Sequence, residues 1–136
     1  MTTVLFACVH NAGRSQIAAA LFNTLADPSK ARAISAGTQP GPKIHPEVLT
    51  VLREAGVELA EEKPRLLTQE IARQASWLIT MGCGEACPVV PGVKTLDWPL
   101  LDPKGQPLPV VREVRDEIRA RVQELIQREG WGRRSP

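Results

Sequence analysis

A cysteine and an arginine, Cys8 and Arg14, lie between two predicted segments of regular structure near the start of the chain. The apolar residues 3–7 predict a short buried strand, and the apolar spacing over 16–25 predicts a helix with one buried face. The N-terminus of a helix offers free N–H groups and the positive end of a dipole, and both attract anions. The chain is therefore expected to adopt a fold that places a cysteine beneath an anion site.

The predicted oxyanion site combines backbone N–H groups with the Arg14 side chain. The planar guanidinium group can hold two oxygens of a tetrahedral anion, and Gly13 permits a close backbone approach. The same positive field favours the thiolate form of Cys8, to which the Ser15 hydroxyl can donate a hydrogen bond. The alternative is that Cys8 is only a small buried apolar side chain. The predicted oxyanion-binding residues are Val9, His10, Asn11, Ala12, Gly13 and Arg14.

Two polar side chains of this segment have separate predicted roles. We expect His10 to point away from the Cys8 sulfur, because neighbouring positions in a tight loop face in different directions, so a role as catalytic base is the minor alternative. Asn11 is expected to hold the loop in shape through hydrogen bonds. His45, which precedes Pro46, is expected to be a loop or helix-cap residue.

Strands and helices alternate along the rest of the chain. The pattern predicts further strands over 31–37, 76–81 and 94–100, and helices over 46–55, 66–73 and 110–129. We therefore predict an α/β fold in three layers, with a four-stranded parallel sheet flanked by helices on both faces. The length of 136 residues, without repeats or linkers, predicts a single domain over residues 1–136.

The chain contains three cysteines, and the other two, Cys83 and Cys87, follow the third predicted strand. Because the carboxyl ends of parallel strands share one edge, we expect Cys83 and Cys8 at the same rim of the sheet. One nucleophilic cysteine with a nearby pair indicates redox chemistry on an oxyanion. If Cys83 and Cys87 lay on one regular helix, their Cβ atoms would be too far apart for a disulfide, so residues 82–95 are expected to rearrange on oxidation.

Composition excludes several classes of partner. The net charge is only +2, there is no basic block before Arg133-Arg134, and aromatic residues are few, so we expect no nucleic-acid partner. No apolar run approaches the roughly 20 residues that span a membrane, and no signal peptide is recognised. We therefore expect a cytoplasmic monomer, in which cysteines are catalytic or metal-binding rather than structural disulfides.

Several motifs along the chain form a recognisable set. The order of these motifs resembles the thioredoxin-coupled arsenate reductases, which are built on the low-molecular-weight protein tyrosine phosphatase fold. The resemblance extends from about residue 3 to residue 128. The motifs that carry it are Cys8 to Ser15 after a strand, Ser35-Ala36-Gly37, Met81-Gly82-Cys83-Gly84, Cys87-Pro88 and Asp102-Pro103.

The resemblance implies a redox mechanism for arsenic detoxification. Cys8 would attack arsenate, Arg14 would hold its oxygens, and Asp102 would act as general acid for the departing hydroxide. Cys83 would then attack the Cys8 sulfur and release arsenite, and Cys87 would resolve that disulfide. Thioredoxin would reduce the resulting Cys83–Cys87 disulfide. Phosphate and sulfate would mimic arsenate, and neither a metal nor a cofactor is implied.

The chain departs from the pattern of this family at several positions. Ala12 and Gly13 stand where many members carry serine and cysteine. Some members bind a potassium ion, partly through acidic side chains. The corresponding positions here are Ala19 and about Arg65, although Asn11 and Ser35 are retained.

Other readings of the same residues remain open. A low-molecular-weight phosphatase would need Cys8, Arg14 and Asp102 but neither of the other cysteines, and weak phosphatase activity is compatible with the reductase. The chain has no tyrosine, and only Trp98 lies close to the Asp-Pro motif.

Three further choices stay open from sequence alone. Asp97 is a rival for the acid role of Asp102. The three cysteines and His10 could bind zinc, although the spacing of four between Cys83 and Cys87 is unusual for zinc. The reductant could be glutaredoxin or a small thiol rather than thioredoxin.

Overall fold

The computed structural model describes residues 2–59, 63–81 and 92–133. Strands and helices alternate along these residues and form a four-stranded parallel sheet with the strand order β2-β1-β3-β4. The strands are β1 (Thr2–Cys8), β2 (Ala31–Gly37), β3 (Trp77–Thr80) and β4 (Lys94–Asp97). The helices are α1 (Arg14–Leu25), α2 (Pro46–Glu54), α3 (Gln69–Arg73) and α4 (Leu108–Glu129).

Strand β1 lies inside the sheet, between β2 and β3. Its last residue, Cys8, pairs with Gly37 at the end of β2, and Ala7 pairs with Thr80 at the end of β3. The carboxyl ends of these three strands therefore meet at one edge, as the sequence predicts. In parallel sheets this edge is where ligands bind.

Both faces of the sheet are covered by helices. Alternate β1 residues such as Val4 and Phe6 pack on a large core with residues of α1, α2 and α4. Leu5 and Ala7 point to the opposite face, where they pack with Ala72 of α3. Because both faces are buried, β1 is a continuous apolar run rather than an alternating one. The three-layer α/β prediction is confirmed.

Some element boundaries differ from prediction. Helix α3 begins at Gln69 rather than 66, because the Thr68 side chain accepts a hydrogen bond from Ile71 N (3.1 Å) and caps the helix there. Leu66 instead pairs with Gly37 in a parallel bridge. Strand β4 ends at Asp97 rather than at 100, shortly before Pro99, which has no N–H to donate to a sheet.

Helix α4 is longer at its start than predicted and ends as predicted. It begins at Leu108 after Pro107, and its C-cap is Gly130, with a φ of 73°. Glycine adopts this left-handed conformation without steric cost. Among the described residues, no helix is both long and apolar enough to cross a membrane.

A group of ion pairs connects α2 to α4. Arg112 donates three hydrogen bonds to the Glu54 carboxylate, at 3.0, 3.2 and 2.9 Å. Arg115 also bonds to Glu54 at 3.0 Å, and it donates to the Val51 carbonyl at 2.9 Å. The Arg112 hydrogen bond is the main reason why the pKa of Glu54 lies below its ordinary value.

Candidate active site

Residues 9–13 form a loop between β1 and α1, which we call the anion loop. Three of its carbonyl groups and that of Cys8 accept hydrogen bonds from the segment 38–45, whereas Asn11 O and Gly13 O accept from Gln16 Nε2 (3.1 Å) and Ile17 N (3.0 Å) in α1. The bonds run from Thr38 N to Cys8 O (3.2 Å), Gln39 N to Val9 O (2.8 Å), Gly41 N to His10 O (2.9 Å) and His45 N to Ala12 O (3.0 Å).

The amide groups of the anion loop are arranged differently from its carbonyls. None of the N–H groups of residues 9–13 has an acceptor among the described residues. Successive free N–H groups in a loop that leads into a helix form a concavity that binds anions. Residues 9–13 therefore offer such a concavity, and their binding of an oxyanion stays a prediction.

The close approach of β2 to the anion loop requires a glycine. A Cβ atom on Gly37 would lie 2.6 Å from Val9 O and 2.9 Å from Asn11 N, both backbone atoms that cannot move aside. The glycine of the Ser35-Ala36-Gly37 motif thus lets the end of β2 support the loop directly.

Three side chains form a hydrogen-bonded chain that ends at the nucleophile. Asn11 Nδ2 donates to Ser15 Oγ at 2.7 Å, and Ser15 Oγ lies 2.8 Å from Cys8 Sγ. The serine oxygen accepts from Asn11, which leaves the hydrogen of its own hydroxyl available to a thiolate at Cys8. Cys8 is 2% exposed and Ser15 is fully buried, so water competes little for these bonds. The contact places a hydroxyl group where a thiolate nucleophile could accept its hydrogen bond.

Asn11 also holds the anion loop to its surroundings. Its Oδ1 atom accepts from Arg65 N at 3.0 Å and from Gln16 Nε2 at 3.2 Å. Its φ is +50°, in the left-handed region that asparagine tolerates better than most residues. The predicted structural role of Asn11 agrees with these contacts.

Arg14 is buried and connects the anion loop to the segment after β4. Its Nη1 donates to the Leu100 carbonyl at 3.2 Å, and its Nη2 lies 3.6 Å from Asp102 Oδ2. Arg14 is the first residue of α1, so its guanidinium group meets the Asp102 carboxyl at the N-terminus of this helix, although the two residues are distant in sequence.

The position of Asp102 distinguishes it from its rival. Asp102 Oδ1 accepts from Lys104 N at 3.0 Å, and the side chain is 45% exposed, so it can meet a bound anion. Asp97 instead accepts a hydrogen bond from Thr80 Oγ1 at 2.7 Å, and in the described part of the chain it forms no hydrogen bond or ion pair with the anion loop or with Arg14. The geometry favours Asp102 as the carboxyl of the site.

The comparisons with known proteins agree with this site. Residues 3–130 match the low molecular weight phosphotyrosine protein phosphatase family. The chain belongs to this family. A structure of the thioredoxin-dependent arsenate reductase from Corynebacterium glutamicum is 44% identical, with a TM-score of 0.83. It covers 94% of this chain, whereas this chain spans only 61% of that longer protein.

Two curated members of the family are similar over nearly their whole lengths. Arsenate reductase 1 of Bacillus cereus is 32% identical over 130 residues, which are 92% of this chain and 94% of that protein. The glutaredoxin arsenate reductase of a Synechocystis species is 31% identical over 129 residues, with 93% and 97% covered. The predicted resemblance to arsenate reductases on a phosphatase fold is confirmed.

Of the two histidines of this family member, His10 lies in the anion loop and His45 lies beside it, and neither forms a hydrogen bond with Cys8 among the described residues. His10 Nδ1 lies 3.1 Å from Gln39 O, so its ring bonds to the rim and not to Cys8. His45 occupies the N-cap of α2 without a side-chain cap bond. Burial holds the pKa of His45 below its ordinary value, although the charges of Asp102 and Glu47 oppose this shift.

The residues at the family's potassium position do not fit a cation here. Ala19 supplies no oxygen ligand, and Asn11 Oδ1 already accepts two hydrogen bonds. Arg65 Nε donates to the Ser35 carbonyl at 2.9 Å, so a fixed positive group lies where acidic ligands would be needed. We therefore assign no role to a metal ion. Among the described residues, no group of three or more metal-ligating side chains occurs.

The second and third cysteines, Cys83 and Cys87, lie outside the described residues, as does the 82–91 part of the predicted rearrangement. The chain enters that segment next to the nucleophile, because Met81 N donates to Ala7 O at 2.8 Å, one residue before Cys8. The expected shared rim is therefore supported as far as residue 81.

Sequence reasoning missed three contributors to the site. The Leu100 carbonyl, the Arg65 amide and the Gln16 side chain all hold the anion loop or Arg14. Only Gln16 had a local signal, since it follows Ser15 directly at the start of the helix.

Proposed function

We propose that this chain reduces arsenate to arsenite, with Cys8 as nucleophile and thioredoxin as the source of electrons. The observation that supports this most strongly is the Ser15–Cys8 contact beside the backbone amides of residues 9–13, for which the described residues provide no acceptor. A thiolate at the floor of an oxyanion site is the nucleophile that arsenate chemistry needs. Similarity to the named arsenate reductases of this family favours the same substrate.

The first step joins sulfur to arsenic. Arsenate occupies the anion loop, held by the backbone amides and the guanidinium group of Arg14. The Cys8 thiolate forms an S–As bond, and one arsenate oxygen leaves as hydroxide. Asp102 gives that hydroxide a proton, so it departs as water. The carboxyl lies 3.6 Å from Arg14, at the rim of the same site.

The second step transfers two electrons to arsenic. The Cys83 thiolate attacks the Cys8 sulfur, the S–As electron pair passes to arsenic, and arsenite leaves. Arsenic goes from the +5 to the +3 state while two thiols become one disulfide. The Cys87 thiolate then attacks Cys83 and frees Cys8, which leaves a Cys83–Cys87 disulfide.

The relay solves a problem of access. Cys8 is 2% exposed, so a protein reductant cannot reach a disulfide that includes it without opening the site. Transfer of the disulfide to Cys83–Cys87 would bring it to a thioredoxin dithiol. We propose that the chain works in the cytoplasm as a monomer, without metal or cofactor, and that phosphate and sulfate bind in place of arsenate.

Hydrolysis of phosphate monoesters is the second candidate function. Cys8, Arg14 and Asp102 suffice for it, and the family match carries the name of a phosphatase. The same residues would form a thiol–phosphate adduct that water hydrolyses. We expect this as a weak side activity, because the relay cysteines add nothing to it.

The test is arsenate turnover in wild type and in Cys8→Ser, Cys83→Ser and Cys87→Ser. Parallel arms supply electrons from thioredoxin with its reductase and NADPH, from glutaredoxin with glutathione, or from dithiothreitol alone. We expect multiple turnover only in the wild type with thioredoxin. Faster turnover with glutaredoxin would overturn the choice of reductant.

Hydrolysis of p-nitrophenyl phosphate by the same four proteins separates the two functions. We expect the weak hydrolysis to disappear only in Cys8→Ser. If the wild type hydrolyses p-nitrophenyl phosphate at a high rate and produces no arsenite, the proposed arsenate reduction is wrong and phosphatase activity is the function.

A further inference from the structure

Gly13, the last residue of the anion loop, lies against the ring of Pro103. A Cβ atom on residue 13 would lie 2.9 Å from Pro103 Cγ and 3.5 Å from Pro103 Cδ. The first distance is shorter than real Cβ atoms tolerate. His45 Cδ2 would be 3.6 Å away, an ordinary contact. The absence of a side chain at Gly13 therefore makes room for Pro103 in particular.

Pro103 cannot easily move out of such a clash. It is buried, and its ring closes onto its own backbone, so apart from a change of ring pucker it has no rotamer that would swing it aside. A side chain at residue 13 would therefore have to displace the segment around Pro103 as a whole. Asp102 is joined directly to Pro103 and would move with it.

The same segment touches the site at two further points, both through Arg14. The guanidinium group donates to Leu100 O at 3.2 Å and approaches Asp102 at 3.6 Å. These are polar contacts that a long side chain can follow by adjusting its rotamer. The Gly13–Pro103 contact is the rigid one, since it joins backbone to a ring.

We propose that Gly13 is a positioning residue that sets how close the Asp102 carboxyl comes to the bound anion. This rests on the acid role proposed for Asp102. Enlarging residue 13 would lift Asp102 away from the leaving oxygen. The residue-13 amide and Arg14 would stay in place to bind the anion. Proton transfer would be impaired more than binding.

The first test is a double-mutant cycle on arsenate turnover, with Gly13→Ala, Asp102→Asn and the combined variant. We expect Gly13→Ala to lower kcat about tenfold and to change KM less than about twofold. A general acid contributes about 10²–10⁴-fold to the rate, so a loss of about tenfold corresponds to partial impairment of Asp102. In the Asp102→Asn background, Gly13→Ala should cause no further loss. Equal loss in both backgrounds, or an unchanged kcat, would overturn the proposal.

A matched control and a rescue variant complete the cycle. A Cβ atom on Gly41 would meet nothing closer than 3.8 Å, so Gly41→Ala adds the same methyl group beside the loop without a clash. We expect Gly41→Ala to turn over like the wild type. Pro103→Ala removes the clashing ring atoms. When it is combined with Gly13→Ala, we expect the double variant to regain at least half of the kcat that Gly13→Ala alone loses. Failure of this rescue contradicts a steric cause.

A readout independent of turnover separates this proposal from the proposed function. Lys104 N donates to Asp102 Oδ1, and Gln106 N donates to Pro103 O at 3.1 Å. We expect faster hydrogen exchange of these two amides in Gly13→Ala than in Gly41→Ala, with inorganic phosphate still protecting Cys8 from alkylation in both. If the wild type does not reduce arsenate, the proposed function fails. If the exchange rate of the Lys104 amide is the same in Gly13→Ala and Gly41→Ala, the positioning role of Gly13 fails, whatever the turnover shows.

Discussion

The Ser15 hydroxyl oxygen lies 2.8 Å from the Cys8 sulfur, and the Asn11 amide donates to that same oxygen. The two contacts place the serine hydroxyl between the amide donor and the sulfur before any substrate arrives. The residues that orient the sulfur are themselves buried. Such preorganisation lowers the cost of reaching the transition state.

Removal of the Ser15 hydroxyl should slow the chemistry of Cys8. A hydrogen bond to a charged group is worth about 1.5–3 kcal/mol, so we expect Ser15→Ala to react with iodoacetamide about tenfold more slowly at pH near 6. The rate of alkylation at Cys8, followed by mass spectrometry of the Cys8 peptide, measures this. Ser29→Ala is the control, because Ser29 is exposed and its side chain bonds, within the described residues, only to Asp27. Equal rates in Ser15→Ala and wild type would contradict the assigned donor.

Potassium should have no effect on this protein. Arg65 occupies the neighbourhood of the family's potassium position through its bond to Ser35 O. We expect arsenate turnover and Tm to be the same in potassium and sodium chloride at equal ionic strength. A rise in Tm that saturates with potassium and is absent with sodium would show a potassium site and would contradict this prediction.

The buried position of His45 should make stability depend on pH on the acid side. Burial lowers the pKa of His45 in the folded state, so the folded protein binds this proton less readily than the unfolded chain. Protonation of His45 therefore does not reduce the free energy of unfolding above the unfolded-state pKa of about 6.5. As the pH falls below that value, the free energy of unfolding decreases.

His45→Asn should remove part of this acid-side loss. Asparagine does not titrate, and as an N-cap residue it can also bond to the first turn of α2, worth about 1 kcal/mol. We expect a higher Tm than wild type at neutral pH and a smaller fall in Tm between pH about 7.5 and 5.5. An equal fall in both proteins would assign the pH dependence to other groups.

The ion pairs between α2 and α4 should stabilise the fold mainly above the acid range. Hydrogen bonding from Arg112 lowers the pKa of Glu54, so its contribution is present above the unfolded-state pKa of about 4.5 and is lost as the pH falls through the folded-state value. We expect Glu54→Gln to lower Tm by a few degrees at most at neutral pH, and not at all at strongly acid pH.

Glu113→Gln is the control for this measurement. Glu113 lies exposed on α4, next to the Arg112 that pairs with Glu54, and has no ion pair among the described residues. Its substitution should leave Tm unchanged at both pH values. A loss of equal size in both variants would mean that the effect comes from net charge and not from the Glu54 pairs.

Local patterns were enough to predict the sheet and the cysteine loop. The apolar run before Cys8 and the helical spacing after Ser15 are set by neighbouring residues, and they specify strand, loop and helix directly. The general position of Asp102 followed from the family's Asp-Pro motif. The glycine of the Ser35-Ala36-Gly37 motif has a physical reason in the close approach of Val9 and Asn11.

The contacts that complete the site could not be predicted in this way. The bond from Arg14 to Leu100 O and the contact between Gly13 and Pro103 join segments far apart in sequence. They depend on where the chain after β4 crosses the start of α1, and that crossing is decided by packing of the whole sheet. The Arg65 amide on Asn11 is likewise a backbone group without any signature in the sequence.

The most direct test of the central claim is a thiol count after a single reaction. The reduced protein has three cysteines and is mixed with excess arsenate in the absence of thioredoxin and of any other reductant. The proposed relay predicts one arsenite per protein and a fall from three free thiols to one, with the disulfide joining Cys83 and Cys87. Three free thiols and no arsenite, with p-nitrophenyl phosphate hydrolysed by the same sample, would contradict it and leave a phosphatase.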